Sequence, residues 1–158
     1  MTNVFDFNAL YAALEAQRQA RGWSLAQLAR AVGVSATTIE RMREHAAVEG
    51  DGVLQMLRWL GQSPESFQPG GGDGNVALPI APAAGVLRFD APAIYAALDA
   101  RRTERELTWQ DVAAECGIAS AASLTRLRRG GRVTFPDVMR IFAWLGQPAA
   151  RFVRIAPR

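Results

Sequence analysis

The sequence predicts an all-α chain in which one four-to-five-helix module occurs twice, and three observations carry that prediction. Residues 5–67 and 89–152 align with 23 identities over the 63 positions of the first copy. Within each copy the apolar residues recur at helical spacing, and no segment alternates long enough to argue a sheet. Small polar residues and glycines fall where such helices would begin and end. The register between copies is 84 up to Gly33/Gly117 and 85 from Ser35/Ser120, so the second copy carries one extra residue, Ala119. Solenoid repeats run at roughly 20–50 residues, so a period this long marks a duplicated domain. The expected division is a first domain at 1–68, a linker at 69–88 and a second domain at 89–158.

Phe7, Leu10, Tyr11 and Leu14 form one stripe of an amphipathic first helix, which Ile94, Tyr95 and Leu98 repeat. Gly22 ends that helix in the first copy. Ser24 with Gln27, and Thr108 with Asp111, have the capping-box spacing that starts a second helix. It stops at Gly33 or Gly117, residues able to take the positive φ of a tight turn. Ser35 and Ser120 then stand as N-caps of a third helix. For the fourth, Thr134 with Asp137 is the expected cap in the second copy and Asp51 in the first. The fourth helix is strongly apolar: Val53, Leu54, Met56, Leu57 and Leu60, with Val138, Met139, Ile141, Phe142 and Leu145 opposite. Ser63-Pro64 and Pro148 open short last turns that place Phe67 and Phe152. Between the copies, Pro69 to Asn75 has the composition of a flexible linker. The apolar Val76, Leu78, Ile80, Val86 and Leu87 follow, and are expected to lie against a domain or a partner chain. About 20 residues of coil reach ~25 Å, enough for the two modules to occupy separate sites.

With 49% apolar and 21% charged residues the chain is expected to be globular. No stretch approaches a membrane span and no signal peptide opens the chain, so no membrane is expected as a partner. The lone Cys116 cannot form an internal disulfide, and a reducing cytoplasm fits. Every basic residue is Arg. Residues 1–68 hold 6 Arg against 7 acids, net −1, whereas residues 89–158 hold 11 Arg against 7 acids, net +4. If either module anchors a polyanion, it is the second. Trp23, Trp59 and Trp144 read as core or interface residues; the register of Trp109 suggests exposure. His45 stands alone without a metal-ligating neighbour. Cys116 replaces Val32 in the core pattern and reads as a buried small hydrophobe. The acids are scattered without a convergent base or nucleophile, so neither an enzyme nor a cofactor is indicated.

Ala29, Gly33 and Ile39 make a connected constraint. Two helices meeting steeply need a small residue where backbones approach, a glycine in the turn and apolar inner faces. Ala113, Gly117 and Leu124 supply the same set. On these residues the chain resembles the helix-turn-helix of the Cro/repressor-type (XRE) family of DNA-binding regulators, across both modules. The resemblance implies that the third helix enters the major groove of double-stranded DNA. The base-reading candidates it implies are Ala36, Thr37, Glu40 and Arg41, then Ala121, Ala122, Thr125 and Arg126. The phosphate-facing candidates are Ser24, Ser35 and Arg43 in the first copy, with Thr108, Ser120, Arg128, Arg129 and Arg132 in the second. The chain departs from the family in carrying Leu25 or Trp109 where Gln is frequent. Glu40 and Glu44 add negative charge to the first copy, and Ala119 alters the second turn. Two readings therefore stand: a sequence-specific transcriptional regulator with two such modules, or a protein-interaction module, antitoxin-like or adaptor, in which at least the first copy no longer binds DNA. The second leaves room for a homodimer, or a protein partner on the first copy or the apolar linker.

Overall fold

Local signals and long-range packing both shape this chain, and the computed structural model separates them over residues 5–44, 48–67, 78 and 85–157. Among those residues the chain is mostly helical, with one two-stranded sheet. No helix among them is long and apolar enough to cross a membrane.

The first half holds α1 (Phe7–Arg21), α2 (Leu25–Val32), α3 (Ala36–Arg43) and α4 (Gly50–Leu60), then a 3-10 turn at Pro64–Phe67. In α1, Leu10 and Leu14 are buried at helical spacing, Asp6 accepts the Ala9 N–H, and Gly22 at φ 66° turns the chain out. Ser24 and Gln27 form both bonds of a capping box on α2, and the Ser35 hydroxyl caps α3. The second half repeats the order: α5 (Ala91–Glu104), α6 (Trp109–Cys116), α7 (Ala121–Thr125) and α8 (Phe135–Leu145). Here α7 tightens at once into a 3-10 turn, Arg126–Arg129, and a last one spans Ala149–Phe152. Strand β1 (Gly85–Phe89) precedes α5 and pairs antiparallel with β2 (Val153–Pro157) at the end of the described chain.

Five expectations need correction. A sheet exists, because two five-residue strands are stabilised by burying Leu87 and Phe89 rather than by any long local alternation. The segment 85–88, expected to be linker, is part of that sheet. Asp51 does not cap α4; Glu49 holds that position without a side-chain bond, and Asp51 instead accepts the Phe89 N–H at 2.9 Å. Thr134 sits at the start of α8 but its side chain makes no capping bond. Trp109 is half-buried, because Tyr95 stacks on it at 5.1 Å and the Arg102 guanidinium lies 4.9 Å from its ring centre. Of the linker's apolar residues, Val76 and Ile80 lie outside the described residues, as does His45.

The two halves share one hydrophobic core. Where they meet, Gly50 N–H donates to Val133 O at 3.1 Å, and Phe135 N–H donates to Val48 O at 2.8 Å. Glu49 and Thr134 face each other in the resulting antiparallel bridge. Val48, Glu49 and Gly50 correspond at the offset of 85 to Val133, Thr134 and Phe135, and that shift exchanges the two bonds, so the contact is reciprocal, as across a two-fold axis. Side chains on the axis differ: Phe5 meets Phe135 edge to face at 4.6 Å, whereas its counterpart Phe89 lies over Gly50. Further bonds cross the halves. Gln55 donates to Leu87 O at 2.5 Å, and the Ala149 N–H reaches the Glu65 carboxylate at 3.2 Å. The two modules are thereby held together instead of swinging on a tether.

Candidate nucleic-acid interface

The corner between α2 and α3 is built from its inner face outward. Leu28, Ala29, Val32, Ile39 and Met42 are buried, and Ala29 is small enough for α3 to cross close to α2. Gly33 at φ 92° makes the turn, with its N–H and that of Val34 both returned to Ala29 O. The side of α3 turned away from this core carries the residues singled out in the sequence. Thr37 and Arg41 are exposed, Ala36 and Glu40 half-buried, and Arg43 exposed at the helix end.

The second corner has the same inner face in Val112, Ala113, Cys116, Leu124 and Leu127. Ala119 changes its exit: Ile118 is buried where Val34 is only half-buried, and Ser120 is drawn out to φ −151°. Ala122, Thr125 and Arg126 are exposed and Ala121 is half-buried. Because α7 gives way to a 3-10 turn, Arg126, Arg128 and Arg129 leave it at a different pitch from that of α3. Gly130 at φ 81° ends this turn, and a Cβ on Gly131 would lie 2.7 Å from Arg126 O. Two successive glycines are thus required before Arg132, whose side chain is 85% exposed.

Charge is distributed less simply than by counting. Among the described residues, Arg41, Arg128 and Arg129 make no ion pair, whereas Arg43 is held by Glu40 at 2.9 Å and Arg132 loosely by Glu49 at 3.4 Å. At the start of α6, Asp111 accepts the Thr108 N–H at 3.0 Å, and this backbone bond holds its carboxyl below the usual range. That fixed negative charge occupies the helix N-terminus at which the sequence resemblance puts a phosphate contact of Thr108; Gln27 leaves the matching end of α2 neutral. Asp111 is a local opponent that the net charge of the second copy concealed. The four capping hydroxyls, Ser24, Ser35, Thr108 and Ser120, are exposed and each already accepts a helix N–H. Arg88 and Arg154, directly opposite one another on β1 and β2, are also exposed, and neither is among the residues that the sequence singles out. The alternation of buried Leu87 and Phe89 around Arg88 was the available signal.

Cys116 is 5% exposed, and burial pushes its thiol up to about 12. Among the described residues no three His, Cys, Asp or Glu side chains converge as a metal site. Compared with protein-family models, with curated proteins and with solved structures, the chain gives no match.

Proposed function

We propose that this chain is a sequence-specific DNA-binding regulator of the cytoplasm, using two Cro/repressor-type helix-turn-helix modules in one polypeptide. The observation that carries the reading is the outward presentation of both third helices. Thr37 and Arg41 in one, and Ala122, Thr125 and Arg126 in the other, are exposed while Ile39 and Leu124 anchor the opposite sides. Exposed Arg can grip guanine in a bidentate way, and Ala or Thr can contact a thymine methyl. The reciprocal packing of the halves imitates a two-fold dimer, which suits half-sites about one helical turn, ~34 Å, apart. Unequal third helices imply an asymmetric site. Arg128 and Arg129, without an ion pair among the described residues, make the second module the stronger electrostatic anchor.

The test is binding to duplex recovered from a randomised pool, measured against salt. Neutralising Arg128, Arg129 and Arg132 should reduce the slope of log affinity on log salt by roughly 0.9 per lost phosphate contact. An unchanged slope would place the DNA elsewhere. A second reading keeps DNA on the second module and makes the first a protein-interaction or dimerisation unit. The Glu40–Arg43 pair favours it, since it neutralises one of the two arginines at the end of α3. A gel-filtration mass of two chains, with duplex affinity that Arg126→Ala abolishes and Arg41→Ala leaves unchanged, would support that reading.

A further inference from the structure

Two adjoining clefts run from α3 across the sheet to the loop that follows Arg126–Arg129. One, about 300 Å³, lies among α3, α4 and β1 and includes Thr38, Arg41 and Gln55. The other, about 160 Å³, lies among the sheet, the start of α5 and the loop after α7, and includes Arg132 and Arg154. They share Glu49, Asp51 and Arg88. Four arginines from four separate elements therefore border one continuous strip: Arg41, Arg88, Arg154 and Arg132.

The two acids in the strip do not cancel it. Asp51 is committed to Arg88 at 3.2 Å and to the Phe89 N–H, and Glu49 lies 3.4 Å from Arg132. Asp51 holds Arg88 and Glu49 lies loosely beside Arg132, and the strip keeps a net charge of +2 from four Arg against two acids. Arg154 makes no ion pair among the described residues, although it sits directly across the ladder from Arg88. Like charges directly opposite on a sheet are unfavourable, and Asp51 offsets only the Arg88 member of this pair. The strip also flanks the Glu49–Thr134 bridge, midway between the two corners.

We infer that the β1–β2 ribbon is a third contact to the duplex, in which Arg88 and Arg154 grip backbone phosphates across the base pairs between the two half-sites. This rests on the DNA-binding reading above. Phosphates there are presented to both modules at once, so the ribbon would fix the spacing between half-sites without reading bases.

The test uses the full chain and a duplex it selects from a randomised pool. In Arg88→Gln/Arg154→Gln the salt slope should fall by about 1–2, at ~0.9 per phosphate. Hydroxyl-radical protection should be lost at the centre of the site and kept on its flanks. Arg88→Lys/Arg154→Lys, which preserves the charges, should restore both, and a thermal melt of each variant identifies any loss of fold. An unchanged slope and centre in the Gln variant, with Arg41→Ala and Arg126→Ala still weakening binding, would overturn the ribbon contact and leave the regulator reading intact. Failure of the wild-type chain to retain any duplex would remove the regulator reading and the ribbon contact with it.

Discussion

Gly50 and Gly52 stand two residues apart at the start of α4, and the same substitution should act on them with opposite sign. A Cβ on Gly50 would lie 2.9 Å from both Cδ2 and Cε2 of Phe89 and 3.4 Å from Val133 O. The ring has little room to retreat. It is 7% exposed, has Phe135 at 6.3 Å and Phe142 at 5.7 Å between ring centres, and its backbone is tied to Asp51. Closing a contact from 2.9 Å to an ordinary distance therefore moves a strand as well as a ring. Overpacking of this kind costs about 2 kcal/mol. For a chain of this size that lowers the melting temperature by ~4–8 °C. A Cβ on Gly52 meets only Thr38 Cγ2 at 3.3 Å, the end of a side chain that can give way. There Gly→Ala should gain about 0.5 kcal/mol from helix propensity. Urea or thermal denaturation compares the two directly, and Phe89→Leu should recover part of the Gly50→Ala loss in the double variant. If Gly50→Ala proved as stable as Gly52→Ala, then Phe89 does not lie over α4, and the packing of the second half on the first is wrong.

Glu106 occupies the position of Gly22 and holds φ 55°, with Leu107 N–H returned to Arg102 O as Trp23 N–H is to Arg18 O. A left-handed non-glycine costs about 1–2 kcal/mol, so Glu106→Gly should raise stability by about 0.5–1 kcal/mol after its larger unfolded-state entropy, read as a higher urea midpoint. Burial raises the Glu65 carboxyl above its ordinary 4.5, outweighing the Ala149 N–H bond that favours the charge. A raised folded value means stability is fullest below the unfolded value and falls as pH rises through the folded one. Glu65→Gln should accordingly melt higher than wild type near neutral pH, with the gain shrinking on acidification; a gain independent of pH would contradict this. Cys116, with its thiol pushed up to about 12, should resist thiol reagents at mildly alkaline pH until the chain is denatured, as mass spectrometry would show.

What could be read in the sequence was what short-range chemistry decides. Ser24 with Gln27, Thr108 with Asp111, Ser35, Ser120, and the turns at Gly22, Gly33 and Gly117 are settled within a few residues. The small-residue, glycine and apolar pattern of each corner puts Ile39 and Leu124 inside, where both are buried, whereas the exposed Arg41 and Arg126 are singled out only by the helix-turn-helix resemblance. What escaped depends on residues far apart along the chain. Asp51 looks like a cap until Phe89, 38 positions away, supplies the N–H that takes its carboxylate. Arg88 looked like linker charge because its strand exists only where β2 and α4 meet it. Trp109 lost its expected exposure to Tyr95 and Arg102, which belong to another helix. The early end of α7 reflects a local cause that spacing could not weigh: an inserted Ala119 before it and Gly130-Gly131 after the turn it becomes.

The reciprocal pairing at 48–50 and 133–135 uses main-chain groups, so it persists although Glu49 faces Thr134 and Gly50 corresponds to Phe135. Side chains at the axis were free to diverge, and they did so in a complementary way. Phe135 is fully buried against Phe5, while the matching position, Gly50, leaves the space that Phe89 fills. Two identical chains cannot place a large residue on one side of an axis and none on the other. Two copies of the first half would bring glycine twice and leave a void. Two copies of the second would set a phenylalanine ring where Phe89 already sits. Joining unequal copies in one chain removes that constraint. It lets the exposed sides of the third helices differ as freely as the axis does, with Glu40 engaging Arg43 on one side and Arg128 and Arg129 without an ion pair among the described residues on the other. On the regulator reading proposed above, an asymmetric axis calls for an asymmetric duplex site, which would tie the packing of the core to the sequence bound.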